Sequence, residues 1–247
     1  VNIGDCGLGE VLIFSPTGQF VGNFTLPNYG EPVGTAINST GDLYICDTYN
    51  CNVQIFTENG TYIRERVSYG YEEGECESPV GIAVNSTDYI FVCDQEKYQV
   101  LIFSPTCEYI TAFGSYGNND GEFLYPTNVA INTLDQIYVV DKENNQVQYF
   151  SPAMEFLGKI GTYGGNNGQL YGPNGITIDS GNQVYVVDTG NDRVQFFTNT
   201  GTYLGQWGRS DYSEDGQLSD PNSIAVNSTG YSYVVDSGNK RVNIFSP

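Results

Sequence analysis

The chain has 247 residues, of which 39% are hydrophobic and 15% are charged, and 29 acidic against 9 basic side chains give it a net charge of −20. This balance excludes an extended cationic surface for nucleic acid and opposes docking on anionic lipid. There is no histidine, which excludes a Ser-His-Asp triad, a Cys-His dyad and a histidine-ligated metal.

The length is that of one domain, and 20 tyrosines and 13 phenylalanines supply enough apolar area to fold it. No apolar stretch reaches the length of a membrane-spanning helix, so we expect no membrane insertion. The first residues lack the basic and apolar regions of a leader. We expect any signal peptide to have been removed already.

One motif recurs along the whole chain. It consists of a proline, an apolar stretch, a run rich in Tyr and Val that ends in Asp, and then Val followed by an apolar segment. The prolines are spaced by 47, 47, 47 and 48 residues at Pro32, Pro79, Pro126, Pro173 and Pro221. The aspartates keep the same step at Asp47, Asp94, Asp141, Asp188 and Asp236. A sequence period of this length is typical of a repeat fold.

Each period contains four short β-branched or aromatic segments bounded by Gly, Asn, Asp or Ser, which predicts four strands, a to d. In the period that begins at Pro173 the strands are expected near 175–179, 184–188, 194–197 and 203–207. Four strands per 40 to 50 residues indicate a blade of a β-propeller. We therefore predict one all-β domain over 1–247, with six blades near 1–29, 30–76, 77–123, 124–170, 171–218 and 219–247.

The first predicted blade lacks strand a and the last lacks strand d. Two explanations remain open. Either the sequence is an excerpt of a longer polypeptide, or a neighbouring molecule supplies the missing strands through exposed edges.

The last two periods carry the strongest resemblance to a known family. Segments 173–179, 184–188, 191–195 and 203–208 resemble the NHL repeat, and the resemblance extends over nearly the whole chain. It implies a propeller, usually six-bladed, that serves mainly as an interaction platform. Some relatives bind RNA through a basic face, and others are enzymes, such as a peptide-amidating lyase and calcium-dependent lactonases.

The sequence departs from this family at a basic position. The repeat's arginine is kept as Arg193 and Arg241 but is replaced by Asn52, Gln99 and Gln146. The loss of these cations disfavours RNA binding. The lyase chemistry is disfavoured as well, because the resemblance implies that histidines hold its metal.

The repeated aspartates end strand b before turns rich in Gly and Asn. We expect them to accept hydrogen bonds from these turns rather than to ligate a metal. We expect no cofactor, and calcium is the alternative, since it prefers oxygen ligands. The calcium candidates are Asn128, Asn174 and Asn222 at the starts of strand a, and Asp120 in a loop between blades.

Five sequons and six cysteines indicate an oxidising, secretory route and an extracellular protein. The predicted glycosylation sites are Asn23, Asn38, Asn59, Asn85 and Asn227. Asn38, Asn85 and Asn227 fall in a–b turns and Asn59 in a c–d turn, so glycans would crowd one face. The alternative is that Asn-Ser-Thr is simply favourable turn chemistry.

Six cysteines allow 15 pairings, but their phase in the repeat narrows the choice. Cys6 and Cys51 fall in b–c loops of adjacent blades and are the first candidate pair. Cys46 and Cys93 occupy the same place in adjacent blades, directly before the aspartate that ends strand b. They form a second bridge or are small core residues. Cys76 and Cys107 fall on opposite faces, so we expect them not to pair with each other. They are free, paired with other cysteines, or bonded to another molecule.

Two functional hypotheses follow. The first is a secreted, glycosylated, non-catalytic scaffold that binds protein or glycan partners, or that self-associates into a filament. Tyrosines in the loops between blades would contact the partner or pack on the next blade: Tyr71, Tyr116, Tyr163 and Tyr212. The second is a calcium-dependent lactonase-like or lyase-like enzyme.

Overall fold

A computed structural model describes residues 2–5, 7–15, 17–208 and 216–247. Within these ranges the regular structure consists of antiparallel strands in six small sheets, apart from two single turns of 3₁₀-helix at Pro27–Tyr29 and Thr189–Asn191. The chain divides into two compact units, Val1–Tyr116 and Gly117–Pro247. Each unit contains three sheets.

The first unit begins with a three-stranded sheet and continues with two four-stranded sheets. The first sheet has β1 (Asn2–Asp5), β2 (Glu10–Phe14) and β3 (Phe20–Thr25). The second sheet has β4 (Pro32–Ile37), β5 (Leu43–Asp47), β6 (Asn52–Phe56) and β7 (Tyr62–Arg66). The third sheet has β8 (Pro79–Val84), β9 (Ile90–Asp94), β10 (Gln99–Phe103) and β11 (Tyr109–Phe113).

The second unit has two four-stranded sheets followed by a three-stranded sheet. The fourth sheet of the chain has β12 (Pro126–Ile131), β13 (Ile137–Asp141), β14 (Gln146–Phe150) and β15 (Phe156–Ile160). The fifth has β16 (Ile176–Ile178), β17 (Val184–Asp188), β18 (Arg193–Phe197) and β19 (Tyr203–Trp207). The sixth has β20 (Pro221–Val226), β21 (Ser232–Asp236) and β22 (Arg241–Phe245).

These bounds confirm the predicted all-β class and the incomplete first and last blades. The strands expected in the period that begins at Pro173 match β16 to β19 to within one residue at each end. The agreement follows from local sequence, because β-branched and aromatic runs favour strands and the Gly, Asn and Asp clusters between them favour turns.

The second strand of each four-stranded sheet is the most buried. Every residue of β5, β9, β13 and β17 is buried. Successive side chains of a strand point to opposite faces of its sheet. Both faces are therefore covered at this strand, and the apolar run does not alternate with polar residues.

The apolar cores of each unit lie between successive sheets. In the second unit, Tyr138, Val140 and Val147 of the fourth sheet pack with Ile176 and Val186 of the fifth. A residue from the loop that leads to the next sheet is buried as well, and the four equivalent positions are Cys76, Phe123, Leu170 and Leu218. Burial of one such apolar side chain contributes about 1.5–3 kcal/mol.

The connections divide between two ends of the sheets. The a–b and c–d turns lie at one end, here called the turn end. The b–c turns lie at the opposite end, together with the loops that lead from strand d to the next sheet, because strand d runs antiparallel to strand c. This second end is called the loop end.

Candidate binding surface

An aspartate at the last residue of strand b organises the loop end of the second to sixth sheets. The carboxylate of Asp141 accepts hydrogen bonds from Leu124 N at 2.7 Å, Asn144 Nδ2 at 2.8 Å and Gln146 Nε2 at 2.9 Å. All five equivalent side chains are buried: Asp47, Asp94, Asp141, Asp188 and Asp236. The expected structural role agrees with these bonds, which join the b–c turn, strand c and the incoming loop.

Sequence reasoning missed an amide side chain on strand c. Gln148 donates from Nε2 to Asp141 Oδ2 at 3.1 Å and to Glu122 O at 2.6 Å, and its Oε1 accepts from Gly121 N at 2.9 Å. The equivalent amides are Gln54, Gln195 and Asn243. The available signal was a Gln or Asn directly after the repeated Val, and Leu101 interrupts it in the third sheet.

The pKa values of Asp141 and Asp236 are shifted in opposite directions. Burial raises the pKa of Asp141 above its usual value, although several hydrogen bonds oppose this effect. Burial acts on Asp236 in the same direction, but the hydrogen bonds from Ser219 N, Asn239 and Arg241, with the charge of Arg241, lower its pKa overall. Asp236 therefore differs from Asp141 in having a guanidinium beside its carboxylate in addition to backbone and amide donors.

Arg193 forms one wall of a cleft at the loop end of the fifth sheet. The cleft has a volume of about 710 Å³, and glycine and polar residues line it: Gly165, Asn166, Asn167, Gly190, Asn191, Asp192, Arg193 and Gln206. The guanidinium donates to Asn166 O at 2.8 Å and to Gln206 Oε1 at 2.9 Å. These bonds fix the loop wall, and neutral amide groups dominate the cleft.

Pairs of exposed tyrosines also lie at the loop end. In the second unit, the rings of Tyr163 and Tyr171 are 5.6 Å apart in an edge-to-face contact, and their exposed fractions are 69% and 50%. In the first unit, Tyr69 contacts Tyr71 and Tyr98 contacts Tyr116, again edge to face. Tyr71, Tyr116 and Tyr163 are each 69–70% exposed, so a partner could contact them. Tyr212 lies outside the described residues.

The calcium candidates do not form one group. Asn174 donates from Nδ2 to Asn222 Oδ1 at 3.0 Å, so these two side chains meet. The Oδ1 of Asn128 accepts from Val129 N at 2.9 Å. Asp120 forms an ion pair with Lys159 at 2.9 Å. Across the described residues, no three Asp, Glu, His or Cys side chains are gathered as a metal site.

Four of the five sequon asparagines lie at the turn end. Asn38, Asn85 and Asn227 begin a–b turns, and Oδ1 of Asn85 accepts from Thr87 N at 3.0 Å and Tyr89 N at 2.9 Å. Asn59 is exposed in a c–d turn, whereas Asn23 lies in β3 and donates to Glu10 Oε2 at 2.7 Å. The turn role and a glycan are compatible, because the turn uses Oδ1 and a glycan is attached to Nδ2.

The described cysteines are all thiols. Cys46, Cys76 and Cys93 are buried, whereas Cys51 and Cys107 are half-buried. Cys6 lies outside the described residues, so the predicted Cys6–Cys51 bond stays a prediction. Cys51 lies close to Cys76, a proximity that the spacing of the cysteines did not predict.

Comparison with known proteins gives the family. Residues 75–160 match a family described as 6-bladed beta-propeller, and residues 29–56 and 170–197 match the NHL repeat. No curated protein matches the sequence. Among the described residues, no helix has the length and apolar character to cross a bilayer.

Solved structures with a similar fold have little sequence in common with this chain. Virginiamycin B lyase from Staphylococcus aureus is 12% identical, with a TM-score of 0.68 over 98% of this chain and 78% of the lyase. A histidine-to-alanine variant of that lyase is catalytically inactive.

Two further structures give similar values. A chain of the nidogen/laminin complex is 15% identical, with a TM-score of 0.70 over 100% of this chain and 92% of its own length. A Bacteroides thetaiotaomicron protein of unknown function is 15% identical, with a TM-score of 0.73 over 98% of this chain and 68% of its own. With its NHL repeats and its six blades, the chain belongs to the six-bladed β-propellers of the NHL-repeat type.

Proposed function

We propose that this propeller is a non-catalytic interaction module of an extracellular, N-glycosylated protein. Its loop end binds a protein partner, and a second copy of the chain is the first partner to test. In that case the module is a protomer of an extracellular fibre or assembly.

The exposed tyrosine pairs carry this proposal. Tyrosine offers a large apolar contact area and a hydroxyl group, and it is enriched at binding hot spots. The pair in the second unit is held by the backbone, because Tyr171 N donates to the buried Asp188 at 2.7 Å and Tyr163 forms a β-bridge with Leu170. A partner would therefore meet aromatic rings whose backbone is already fixed, which lowers the entropy lost on binding.

The positions of the sequons also favour the loop end as the binding surface. Asn38, Asn85, Asn227 and Asn59 lie at the turn end. Glycans at these positions would cover the turn end and leave the loop end accessible. The nidogen/laminin structure supports an interaction role for this fold by analogy, because it is a complex of proteins.

The acidic side chains and the lack of histidine favour a binding function over an enzymatic one. The repeated carboxylates are buried and accept several hydrogen bonds each. The Staphylococcus aureus lyase loses activity when a histidine is replaced, and this sequence has no histidine. The enzymatic alternative, a calcium-dependent lactonase or lyase, is supported only by the contact between Asn174 and Asn222.

The test compares self-association of the chain with that of two variants. The double variant Tyr163→Ala/Tyr171→Ala removes one tyrosine pair, and Tyr231→Ala removes an exposed tyrosine from an a–b turn as the matched control. We expect analytical ultracentrifugation to show association that the double variant weakens at least tenfold and that the control retains. The fluorescence of Trp207, the single tryptophan, reports whether each variant is folded.

Two results would contradict the proposal. The first is a chain that stays monomeric at high concentration and also fails to bind an array of extracellular-matrix proteins. The second is calcium binding with turnover of a lactone or ester, which would favour the enzyme. Binding to arrayed oligosaccharides alone would replace the protein partner with a glycan.

A further inference from the structure

Two cysteines at the loop end of the first unit contact each other's backbone. Sγ of Cys76 lies 3.0 Å from the carbonyl oxygen of Cys51. Sγ of Cys51 lies 3.1 Å from the carbonyl oxygen of Glu77, the residue after Cys76. Each sulfur therefore reaches the chain segment that carries the other.

Comparison with the second unit shows that Cys51 occupies a position that normally ties the turn to the loop. Cys51, Asn145 and Asp192 share a left-handed backbone, with φ of 50°, 54° and 53°. Asn145 Oδ1 accepts from Gly172 N at 2.9 Å, and Asp192 Oδ1 accepts from Asp220 N at 2.7 Å. In those copies a side chain of the b–c turn holds the following loop.

Cys76 occupies the loop position that lies beside this residue of the b–c turn. Its equivalents Leu170 and Leu218 are buried apolar residues. The side chain of Leu170 and the carbonyl oxygen of Asn145 both lie within 4 Å of the place that a Cβ on Gly161 would take. The side chain of Leu218 and the carbonyl oxygen of Asp192 are placed in the same way around Gly208. The two positions are therefore neighbours in every copy compared.

Both positions are cysteine only in the first unit, between the second and third sheets. In the first unit a thiol stands where a carboxylate or amide oxygen accepts the loop's N–H in those copies, and the equivalent N–H, that of Ser78, is bound by Asp94 at 3.1 Å instead. A covalent bond between the two thiols would restore the tie in a stronger form.

We propose that Cys51 and Cys76 form a disulfide that fastens the b–c turn of the second sheet to the loop leading to the third. The two thiols lose two protons and two electrons and gain one S–S bond. A small disulfide such as glutathione disulfide accepts the electrons and is released as two thiols. Cys51 reacts first to give a mixed disulfide, and Cys76 then displaces the second thiol.

The other cysteines of the unit fit this bond less well. Cys46 packs in the same cluster as Cys76 but lies inside β5, and Cys93 lies inside β9. Both are fully buried, as Cys76 is, so neither could be the first of a pair to react with an oxidant. Cys51 is half-buried and can meet an oxidant. Burial raises the pKa of both Cys51 and Cys76, so the thiolate is scarce in the folded chain and the bond forms while the chain folds.

Peptide mapping tests the connectivity directly. The full chain is refolded with reduced and oxidised glutathione, free thiols are blocked, glycans are removed, and the protein is cut with trypsin and Asp-N. Cys46, Cys51, Cys76 and Cys93 then fall on separate peptides: 42–46, 47–64, 67–87 and 88–93. We expect 47–64 linked to 67–87, with the link lost on reduction.

Stability provides a second readout. Reduction should lower the melting temperature of the wild type by about 5–10 °C. Cys51→Asn/Cys76→Leu copies the second unit and should fold with no effect of reductant, whereas Cys93→Ala should retain the shift. Blocked thiols on both peptides, or a link from either to Cys6, Cys46 or Cys93, would overturn the proposal.

Discussion

The Nε atom of Arg193 lies 2.7 Å from Oδ2 of Asp188, and both side chains are buried. The equivalent pair in the sixth sheet, Arg241 and Asp236, has nearly the same distance of 2.8 Å, but 40% of the arginine side chain is exposed. The two pairs therefore share one geometry and differ in their environment, which makes them a matched comparison.

Replacement of Arg193 by alanine should destabilise the protein more than replacement of Arg241. Arg193→Ala leaves a buried carboxylate without its cation and releases two loop carbonyls, and we expect a loss of about 3 kcal/mol. Arg241→Ala removes a partly solvated partner, for which about 1 kcal/mol is expected. Urea denaturation of the two variants measures the difference, and equal losses would contradict the role of burial.

Stability should respond to the pKa of Asp141. The folded pKa of this carboxyl lies above its usual value, so its contribution to stability is full below the unfolded pKa of about 3.9 and is lost as pH rises through the folded pKa. Gln146→Arg supplies the cation found beside Asp188 and Asp236. We expect it to lower the pKa of Asp141, as followed by carboxyl NMR.

The control for this prediction is Asp141→Asn, which removes the titrating group. It should abolish the effect of Gln146→Arg on the pH dependence of unfolding between pH 3 and 6. An unchanged pKa in the Gln146→Arg variant would show that the guanidinium does not reach the carboxylate.

Acid should weaken the contact between two a–b turns of the first unit. Ser39 donates to Asp88 from N at 2.8 Å and from Oγ at 2.5 Å, and the bond from the Ser39 hydroxyl lowers the pKa of Asp88 most. A lowered pKa adds stability above the unfolded pKa, and this stability is lost as pH falls through the folded pKa.

Asp88→Asn should keep the contact and remove its acid sensitivity. In the second unit, Asn182 Oδ1 already accepts from Thr133 N at 3.0 Å and Thr133 Oγ1 at 2.8 Å. We expect the melting temperature to fall less between pH 7 and pH 3 in this variant than in the wild type. A larger fall would mean that the amide cannot replace the carboxylate.

The turn role of the sequon asparagines can be separated from glycosylation. Thr87→Ala destroys the sequon of Asn85 but keeps the two backbone bonds to Oδ1, and the equivalent positions carry Leu134 and Gly181. In material from a secretory host we expect the variant to lose the glycan at Asn85, detected by glycopeptide mass spectrometry.

Stability measured without glycans completes this test. In bacterial material Thr87→Ala should change the free energy of unfolding by less than about 1 kcal/mol. Asn85→Ala should cost about 1–2 kcal/mol, because two exposed turn N–H groups exchange their side-chain acceptor for water. An unmodified Asn85 in the secreted wild type would contradict glycosylation at this turn and leave only the structural role.

Much of the fold could be predicted from local sequence. The repeated Pro, Asp and Val positions fix the period, and the short apolar runs between turn residues fix strands such as β17 and β18. The incomplete first and last blades follow from the phase of the same repeat. The strands and turns depend on neighbours within a few residues, and the repeat appears as a constant spacing, so the sequence alone reveals both.

The contacts between segments had to come from the tertiary structure. The sequence placed Asp141 before a turn but did not show that Gln148 and the loop at Leu124 share its carboxylate. Spacing paired Cys51 with Cys6, whereas the folded loop brings Cys76 beside Cys51.

The physical reason is the same in each case. Equivalent residues have equal sequence spacing, but burial and side-chain direction depend on how a loop about 25 residues away folds back on the turn. Arg193 and Arg241 are identical in the motif, and only packing makes one of them buried. The sequence therefore determined the strands and their repetition, and the tertiary structure decided which polar and sulfur atoms meet.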